Sequence, residues 1–402
     1  MRILHISAQK PDSTGSGVYL NETVQSLHRQ GYEQAVIAGI GPGDEPVFPE
    51  RVLFCPVRFE TDELPFPVVG MSNVMPYKAT RYRDLTSEMT AQFKAAFTAT
   101  LDDVLDRFLP DLVICHHLYL ACSVIVRRIA QHAAENAALT HCIVCGLSHS
   151  TDIRQMRQIP LERDFIREGV RMLDRIYALH EAQAEEIVEV YGADPSRIRV
   201  VGTGYNARIF HEQPQLRHEG TANVVYAGKI YRKKGVESLI RSFAALCERM
   251  PEAHLVLAGG YNDLQEYEEI VQLARTLDIP ADFVGRLSQE ELAAEYSKAD
   301  VFVLPSFFEG LPLVAIEALA CGCKAVLTDL PGLKPWIEAY VEGGTIDFVE
   351  PPRMLDVDTP VEEDLPAFEE RLAHALERSL HATCSPCDTS RVSWDALATR
   401  LL

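Results

Sequence analysis

The residues best suited to chemistry in this chain are two carboxylates, Glu309 and Glu317, with seven residues between them in FVLPSFFEGLPLVAIEALACGCKAV. Carboxylates accept hydrogen bonds from sugar or ribose hydroxyls and repel bare phosphate. Taken alone, the spacing fits a loop glutamate followed by a solvated helix glutamate equally well. A second group is basic: Lys229, Arg232, Lys233 and Lys234 between the glycines of AGKIYRKKG. Positive charge gathered after a strand and before a helix would neutralise a diphosphate, although a solvated helix start has the same composition. A third group is His149 with Ser150, Thr151 and Asp152, to which His116 and His117 add two imidazoles. His149 is a candidate catalytic residue, and His116, His117 and Asp152 are candidates for acceptor or sugar contacts. Gly15 and Gly17 form a fourth group, a turn that allows close approach of a ligand to backbone or is simply a turn.

These groups need scaffolding, and the apolar pattern supplies it. Val301 to Leu304 is a continuous apolar run of the kind buried on both faces in a parallel sheet, and Pro305 ends it. Pro312 suits a first helical position and Gly322 a left-handed stop, giving a helix over about Pro312 to Cys321. The free N–H groups ahead of that helix, with Gly310 and Leu311 in the turn, favour a diphosphate beside Glu309. Further strands are expected at Ile3–Ser7, Gln34–Ile40, Leu112–Cys115, Cys142–Leu147, Asp174–His180, Val224–Ala227, Leu255–Ala258 and Asp282–Val284, with helices between them. The fold class is therefore α/β, with two doubly wound, Rossmann-like domains facing each other across a cleft. The first spans residues 1–205 and is completed by a C-terminal helix at 388–402. The second spans 206–387. The first loop lacks G-x-G-x-x-G, and no acid ends the second strand, which disfavours a dinucleotide.

Composition narrows the partners. A net charge of −20 over 402 residues argues against nucleic acid. No apolar stretch reaches the ~18 residues of a membrane span, and MRILHISAQKP reads as a strand, so a cytoplasmic location is expected. The Pro-rich stretch 64–85, with Met71, Val74, Met75 and Tyr77 beside Lys78, Arg81 and Arg83, reads as an exposed sticky loop. It suits an acceptor or a peripheral contact with the inner membrane face, and equally a flap packed over the sheet. Ten cysteines without a secretory signal read as reduced thiols. Cys142/Cys145 and Cys384/Cys387 have half of a zinc spacing, and Asp356-Val357-Asp358 mimics a metal-binding pair in a Pro-flanked loop. None of these is assigned to a metal.

Together, FVLPSFFEGLPLVAIEALACGCKAV, AGKIYRKKG, RVVGTGYNARIF and SHSTDIRQM make the chain resemble the retaining GT4 glycosyltransferases of the GT-B fold. The resemblance runs over nearly the whole chain. It implies a nucleoside-diphosphate sugar donor held mostly by the second domain, and an acceptor, whether small molecule, glycan or lipid-linked, chosen by the first. By the same resemblance Lys229 and Lys234 hold the diphosphate, Glu309 contacts the donor sugar, Glu317 binds the ribose, and His149 lies near the reacting sugar. No metal or other cofactor is implied, since positive side chains replace the divalent ion. Many relatives carry Arg where this chain has Lys229, so a forked grip becomes a point charge. The competing readings are a non-catalytic nucleotide-sugar-binding protein and a GT-B epimerase.

Overall fold

The computed structural model describes residues 1–402 apart from 73–74, 218–219, 221, 310–311 and 357–358. Two compact units emerge, Met1–Thr203 with Leu397–Leu402, and Gly204–Ala396. The sequence places the division after 205 and the return of the chain at 388.

In the first unit the strands are β1 (Arg2–Ser7), β2 (Glu33–Ile40), β3 (Leu53–Arg58), a short pair β4 (Val69–Gly70) and β5 (Thr80–Arg81), β6 (Leu112–His116), β7 (Ile143–Leu147), β8 (Arg175–Ala178) and β9 (Ile198–Val200). Among the described residues, seven of them form one sheet in the order β3-β2-β1-β6-β7-β8-β9, with all neighbours parallel. Helices α1 (Gly15–Arg29), α2 (Ser87–Arg107), α3 (Leu120–Glu135), α4 (Thr151–Gln158), α5 (Arg163–Met172) and α6 (Glu181–Tyr191) connect or cover it. Because both faces are covered, the strands read as unbroken apolar runs, and Val36, Ile37, Val113 and Ile114 have no exposed surface. The end of the chain returns to this unit, where Tyr177 and Arg175 donate to the carbonyls of Leu401 (2.8 Å) and Leu402 (2.7 Å).

The second unit contains β10 (Ala222–Ala227), α7 (Val236–Cys247), β11 (Ala253–Ala258), α8 (Leu264–Thr276), β12 (Ala281–Gly285), α9 (Gln289–Lys298), β13 (Val301–Leu304), α10 (Leu313–Ala320), β14 (Lys324–Thr328), α11 (Leu333–Tyr340), β15 (Glu342–Gly343), β16 (Ile346–Val349), α12 (Leu365–His381) and β17 (Cys387–Asp388). Its parallel sheet of six described strands runs β12-β11-β10-β13-β14-β16. Helix α13 (Trp394–Arg400) follows.

In each sheet the strand order reverses once, between β1 and β6 and between β10 and β13. At such a reversal the connections leave toward opposite faces, and a crevice opens beyond the carboxyl ends of the two strands. The chemistry-bearing groups follow those strands: the Gly15–Gly17 turn comes after β1, His116 and His117 end β6, Lys229 to Lys234 follow β10, and Glu309 follows β13.

Three expectations change. Strand β3 was not anticipated because Pro56 interrupts it. It is an edge strand, where a missing N–H costs nothing on the solvent side. Pro312 is the residue before α10 (φ −78°, ψ 82°) instead of its first helical residue, while Gly322 does take the left-handed stop at φ +86°. Of the two readings left open for the stretch 64–85, the flap packed over the sheet holds and the exposed sticky loop does not. Leu64, Phe66, Val69, Met71 and Tyr82 are all buried, and the Lys10 ammonium lies 4.8 Å from the half-buried ring of Tyr77. Val74 lies outside the described residues. The apolar surface proposed for a membrane contact is therefore spent on the core, and among the described residues no helix is long and apolar enough to cross a membrane.

Candidate active site

In the second unit, the turn after β10 tightens into one 3-10 turn, Arg232–Lys234, and ends at Gly235 before α7. Gly235 has φ +69°, and a Cβ there would fall 2.0 Å from the carbonyl oxygen of Pro305. Only glycine lets this turn lie against the loop that follows β13, and the backbone bond from Phe307 N–H to Lys233 C=O (3.3 Å) closes the contact. Gly235→Ala is expected to destabilise the unit by about 2–4 kcal/mol, through the left-handed backbone and the overpacking together. A fall in the urea midpoint accompanied by loss of nucleotide-induced stabilisation would check this, and an unchanged midpoint would refute it.

That contact brings Lys234 and Glu309 together, 75 positions apart in sequence. Lys234 Nζ donates to Glu309 Oε1 at 2.7 Å and to the Phe308 carbonyl at 3.3 Å. Lys229 is exposed and makes no ion pair with a described residue, while its carbonyl accepts from the Tyr226 hydroxyl at 2.8 Å. Arg232 is committed elsewhere, to Glu237 (2.8 Å) and Glu269 (2.5 Å). Of the basic cluster, Lys229 is exposed just after β10, Lys234 is tied to one carboxylate, Glu309, and Arg232 is shared between Glu237 and Glu269. Gly310 and Leu311 lie outside the described residues.

Glu317 sits in α10, and no described residue hydrogen-bonds its carboxyl. Burial pushes that carboxyl up from 4.5 to about 7. A half-buried acid with no described hydrogen-bond partner is suited to a ligand that brings its own donors. A larger cavity of about 590 Å³ is bounded by Arg232, Glu237, Arg241, Phe307 and Glu369, but Lys229, Lys234, Glu309 and Glu317 are not on its wall. On that wall Glu237 pairs with both Arg232 and Arg241.

In the first unit, a cavity of about 340 Å³ opens at the β1/β6 reversal, with Gln9, Gly15, Tyr19, Met75, His117 and His149 on its wall. Thr14 caps α1 by accepting from Gly17 N–H at 3.2 Å. A Cβ on Gly17 would lie 2.7 Å from the Lys10 carbonyl, so the first-loop backbone folds directly onto the helix start. Gly15 has open space beside it. Gly17 is therefore a packing requirement, and Gly15 is the glycine facing the cavity.

The histidines form one cluster. His116 Nδ1 and His149 Nε2 are 3.2 Å apart with their rings stacked, one of the two donating, and the His117 ring lies 4.8 Å from that of His149. Tyr19 meets His149 edge-on at 5.3 Å. Burial first, then mutual repulsion among the imidazoles, holds His116 and His149 well below the usual histidine range, and His5 is pushed down to about 4. All are neutral at pH 7. His117 and Ser150 take left-handed backbone (φ +72° and +67°), uncommon for residues other than glycine and concentrated at functional turns.

Two of the candidate contacts need correction. His116 is buried behind His149 and does not line the cavity. Asp152 is fully buried and its carboxylate is spent. Oδ2 accepts from Leu118 N–H at 2.7 Å, and Oδ1 accepts from the Ser148 hydroxyl at 3.0 Å and His149 N–H at 3.2 Å. It ties the ends of β6 and β7 together and so positions His149. Asp152→Asn places an amide where donors already point, with an expected cost of about 1.5–3 kcal/mol. A lower melting temperature and lower kcat with unchanged donor affinity would show the positioning role; an unaltered melting temperature would not fit it.

Sequence reasoning missed Gln9. It is 2% exposed, lies on the cavity wall, and its Oε1 accepts from Ser16 at 3.1 Å while its Nε2 has no partner among the described residues. No spacing signal marks a lone amide in a turn-rich loop.

Comparison with known proteins matches both units. Residues 14–204 match the glycosyl transferase 4-like domain and residues 208–354 the glycosyl transferases group 1. The D-inositol 3-phosphate glycosyltransferase of Kribbella flavida is 33% identical over 189 residues, 43% of this chain and 45% of that protein. The chain spans about half the length of the first such relatives it matches. The protein of the same name from Mycolicibacterium smegmatis is 26% identical over 84% of this chain and 76% of its own. Among solved structures, HepE of Anabaena in complex with UDP superposes with a TM-score of 0.60 at 14% identity, covering 100% of this chain and 98% of that one. Sucrose-phosphate synthase of Thermosynechococcus elongatus gives 0.59 at 19% identity, covering 100% and 97%. The two family matches lie end to end and take in most of both units, and the chain belongs to the group 1 and 4-like glycosyltransferases, the GT4 family of the GT-B fold.

Proposed function

We propose that this chain transfers a hexosyl group from a nucleoside-diphosphate sugar to a hydroxyl of a polyhydroxylated acceptor. GT4 enzymes use nucleotide-sugar donors and retain the anomeric configuration. The observation that carries the reading for this chain is the Lys234–Glu309 pair at the β10/β13 reversal, with Lys229 exposed at the end of β10.

In the reaction the bond from the anomeric carbon to the β-phosphate oxygen breaks, and the acceptor oxygen bonds to that carbon on the same face. The acceptor proton passes to the departing phosphate. Negative charge grows on the phosphate, and Lys229 and Lys234 stabilise it there. Positive, oxocarbenium-like character grows on the sugar, and Glu309, released from Lys234, is the carboxylate assigned to it. Glu317 accepts from the ribose hydroxyls. His149, neutral at working pH, hydrogen-bonds a hydroxyl without bringing a charge. Two lysines and a helix N-terminus can carry the role a divalent ion plays elsewhere.

HepE was solved with UDP-glucose, so that donor is the first to try. The test is nucleotide release from a panel of UDP-, GDP- and ADP-sugars in EDTA, with thermal shift alongside. Stabilisation by one donor and EDTA-resistant release supports the transferase. Stabilisation without release on any acceptor would favour a binding protein, and no response to any donor would remove the donor-site assignment.

A further inference from the structure

The cavity of the first unit carries a statement about the charge of what it holds. We infer that it is a subsite for an uncharged polyol or sugar, with the buried amide of Gln9 and the imidazole of His117 as its specificity-determining contacts. This rests on the transferase reading for the identity of its ligand as the acceptor.

Two residues of the wall each carry a buried polar atom without a described partner. Gln9 Nε2 and His117 Nδ1 have no hydrogen-bond partner among the described residues, on side chains only 2% and 4% exposed. Leaving such groups unpaired is costly, and a ligand that pairs them recovers that cost. Flipping the Gln9 amide does not help, because Ser16 then meets the nitrogen and the oxygen is left over. A small rotation about the broad terminal torsion of glutamine turns the free atom toward the cavity.

The rest of the lining is neutral. Thr14, Ser16, Ser72 and Thr151 add hydroxyls, and Met71 and Met75 add a polarisable apolar surface. No Lys, Arg, Asp or Glu among the described residues lines it. A molecule with alternating hydroxyls and a C–H face fits this mixture: its oxygens accept from and donate to amide, imidazole and hydroxyls, and its C–H face lies on the methionines. A phosphate fits poorly. Lys10 is held by Asp44 at 2.6 Å, and Arg154, itself exposed, spends one N–H on Ser72 Oγ at 3.2 Å from outside the wall. The α1 N-terminus offers only a partial charge, and its Gly17 N–H is already taken by Thr14.

The test compares glucose, galactose and myo-inositol with glucose 6-phosphate and inositol 1-phosphate on the full chain. Saturation-transfer NMR without donor, read as the difference between the parent and Gln9→Ala, reports binding at this cavity. Acceptor-stimulated nucleotide release reads it in turnover, so failure of the donor assignment leaves the NMR comparison standing. At least one neutral compound is expected to bind tenfold or more tightly than its phosphate ester. Gln9→Ala should raise its Kd or KM about fivefold or more while leaving the donor-induced thermal shift in place. Arg154→Ala should change the neutral compound's affinity less than twofold. Preference for the phosphate esters, loss of binding in Arg154→Ala, or binding of none of the neutral compounds would each overturn the inference.

Discussion

Replacing Lys234 with alanine is expected to lower kcat/KM for the nucleotide sugar by about 10²- to 10³-fold, the scale on which one preorganised charge or donor at a developing oxyanion acts. Lys234 Nζ is held by Glu309 at 2.7 Å, and their side chains are 26% and 16% exposed. The ammonium is thus aimed and largely shielded before the donor arrives. Its reorientation cost is small, and its charge is screened less than that of a surface lysine. Lys229 is the contrast. It is exposed and unpaired by any described ion partner, so Lys229→Ala should cost less and lose most of its effect at high salt. Lys234→Arg keeps the charge but changes its shape, and recovery should be partial. Kinetics in EDTA with UDP-glucose, and calorimetry with UDP, are the measurements. A Lys234→Ala enzyme within threefold of the parent would remove Lys234 from the leaving-group site. A double-mutant cycle with Glu309→Gln separates the two roles: if Glu309 only holds Lys234, the second substitution adds nothing to the first.

Much of the scaffold was legible because local signals agreed with one another. Helix α9 begins where Ser288 and Glu291 form a reciprocal capping box, and its limits, Gln289–Lys298, are those the pattern suggests. Helix α6 ends at the left-handed Gly192, and β13 ends at Pro305. Other features depend on which strands become neighbours, and no local pattern carries that. Nothing near Lys229 says that β10 lies beside β13, or that Lys234 reaches Glu309. The stretch 64–85 looked exposed because prolines break its periodicity, yet Leu64, Phe66 and Met71 have a core to enter once the sheet is formed. Asp152 stands out in the sequence for its company and not for its role, because sequence shows a carboxylate but not the three donors that use it up. Gln9 was invisible for the opposite reason. Its significance is an absent partner, which exists only in three dimensions.

Glu317→Gln is expected to make the empty protein more stable and the nucleotide complex weaker. The folded chain holds this carboxyl at about 7, against 4.5 for the ordinary group. Between those pH values the folded state keeps a proton that the unfolded state has lost, so this residue's contribution to stability falls as pH rises from about 4.5 to about 7. Above pH 7 the full cost is present, on the order of 3 kcal/mol. Glutamine carries no charge and escapes that cost. The variant should therefore melt several degrees higher than the parent at pH 8, and the difference should shrink toward pH 5. Ligand binding has the opposite sign. A ribose diol offers two donors to a carboxylate with two accepting oxygens, whereas glutamine offers one oxygen and an N–H that faces a donor. Losing a charge-assisted hydrogen bond of about 1.5–3 kcal/mol lowers UDP-glucose affinity by about 10- to 100-fold. In the parent, affinity should rise with pH up to about 7, because the diol selects the ionised form; in the variant it should be flat. UDP-glucose is the right probe, since its diphosphate diester does not titrate in this range. Equal stabilisation at pH 5 and pH 8 would mean that buried charge is not the cause, and undiminished affinity at pH 8 would take the ribose away from Glu317. If both effects appear together, the destabilising carboxylate is retained for the hydroxyls it binds, and nucleotide recognition here is built from a site that is less stable empty than filled.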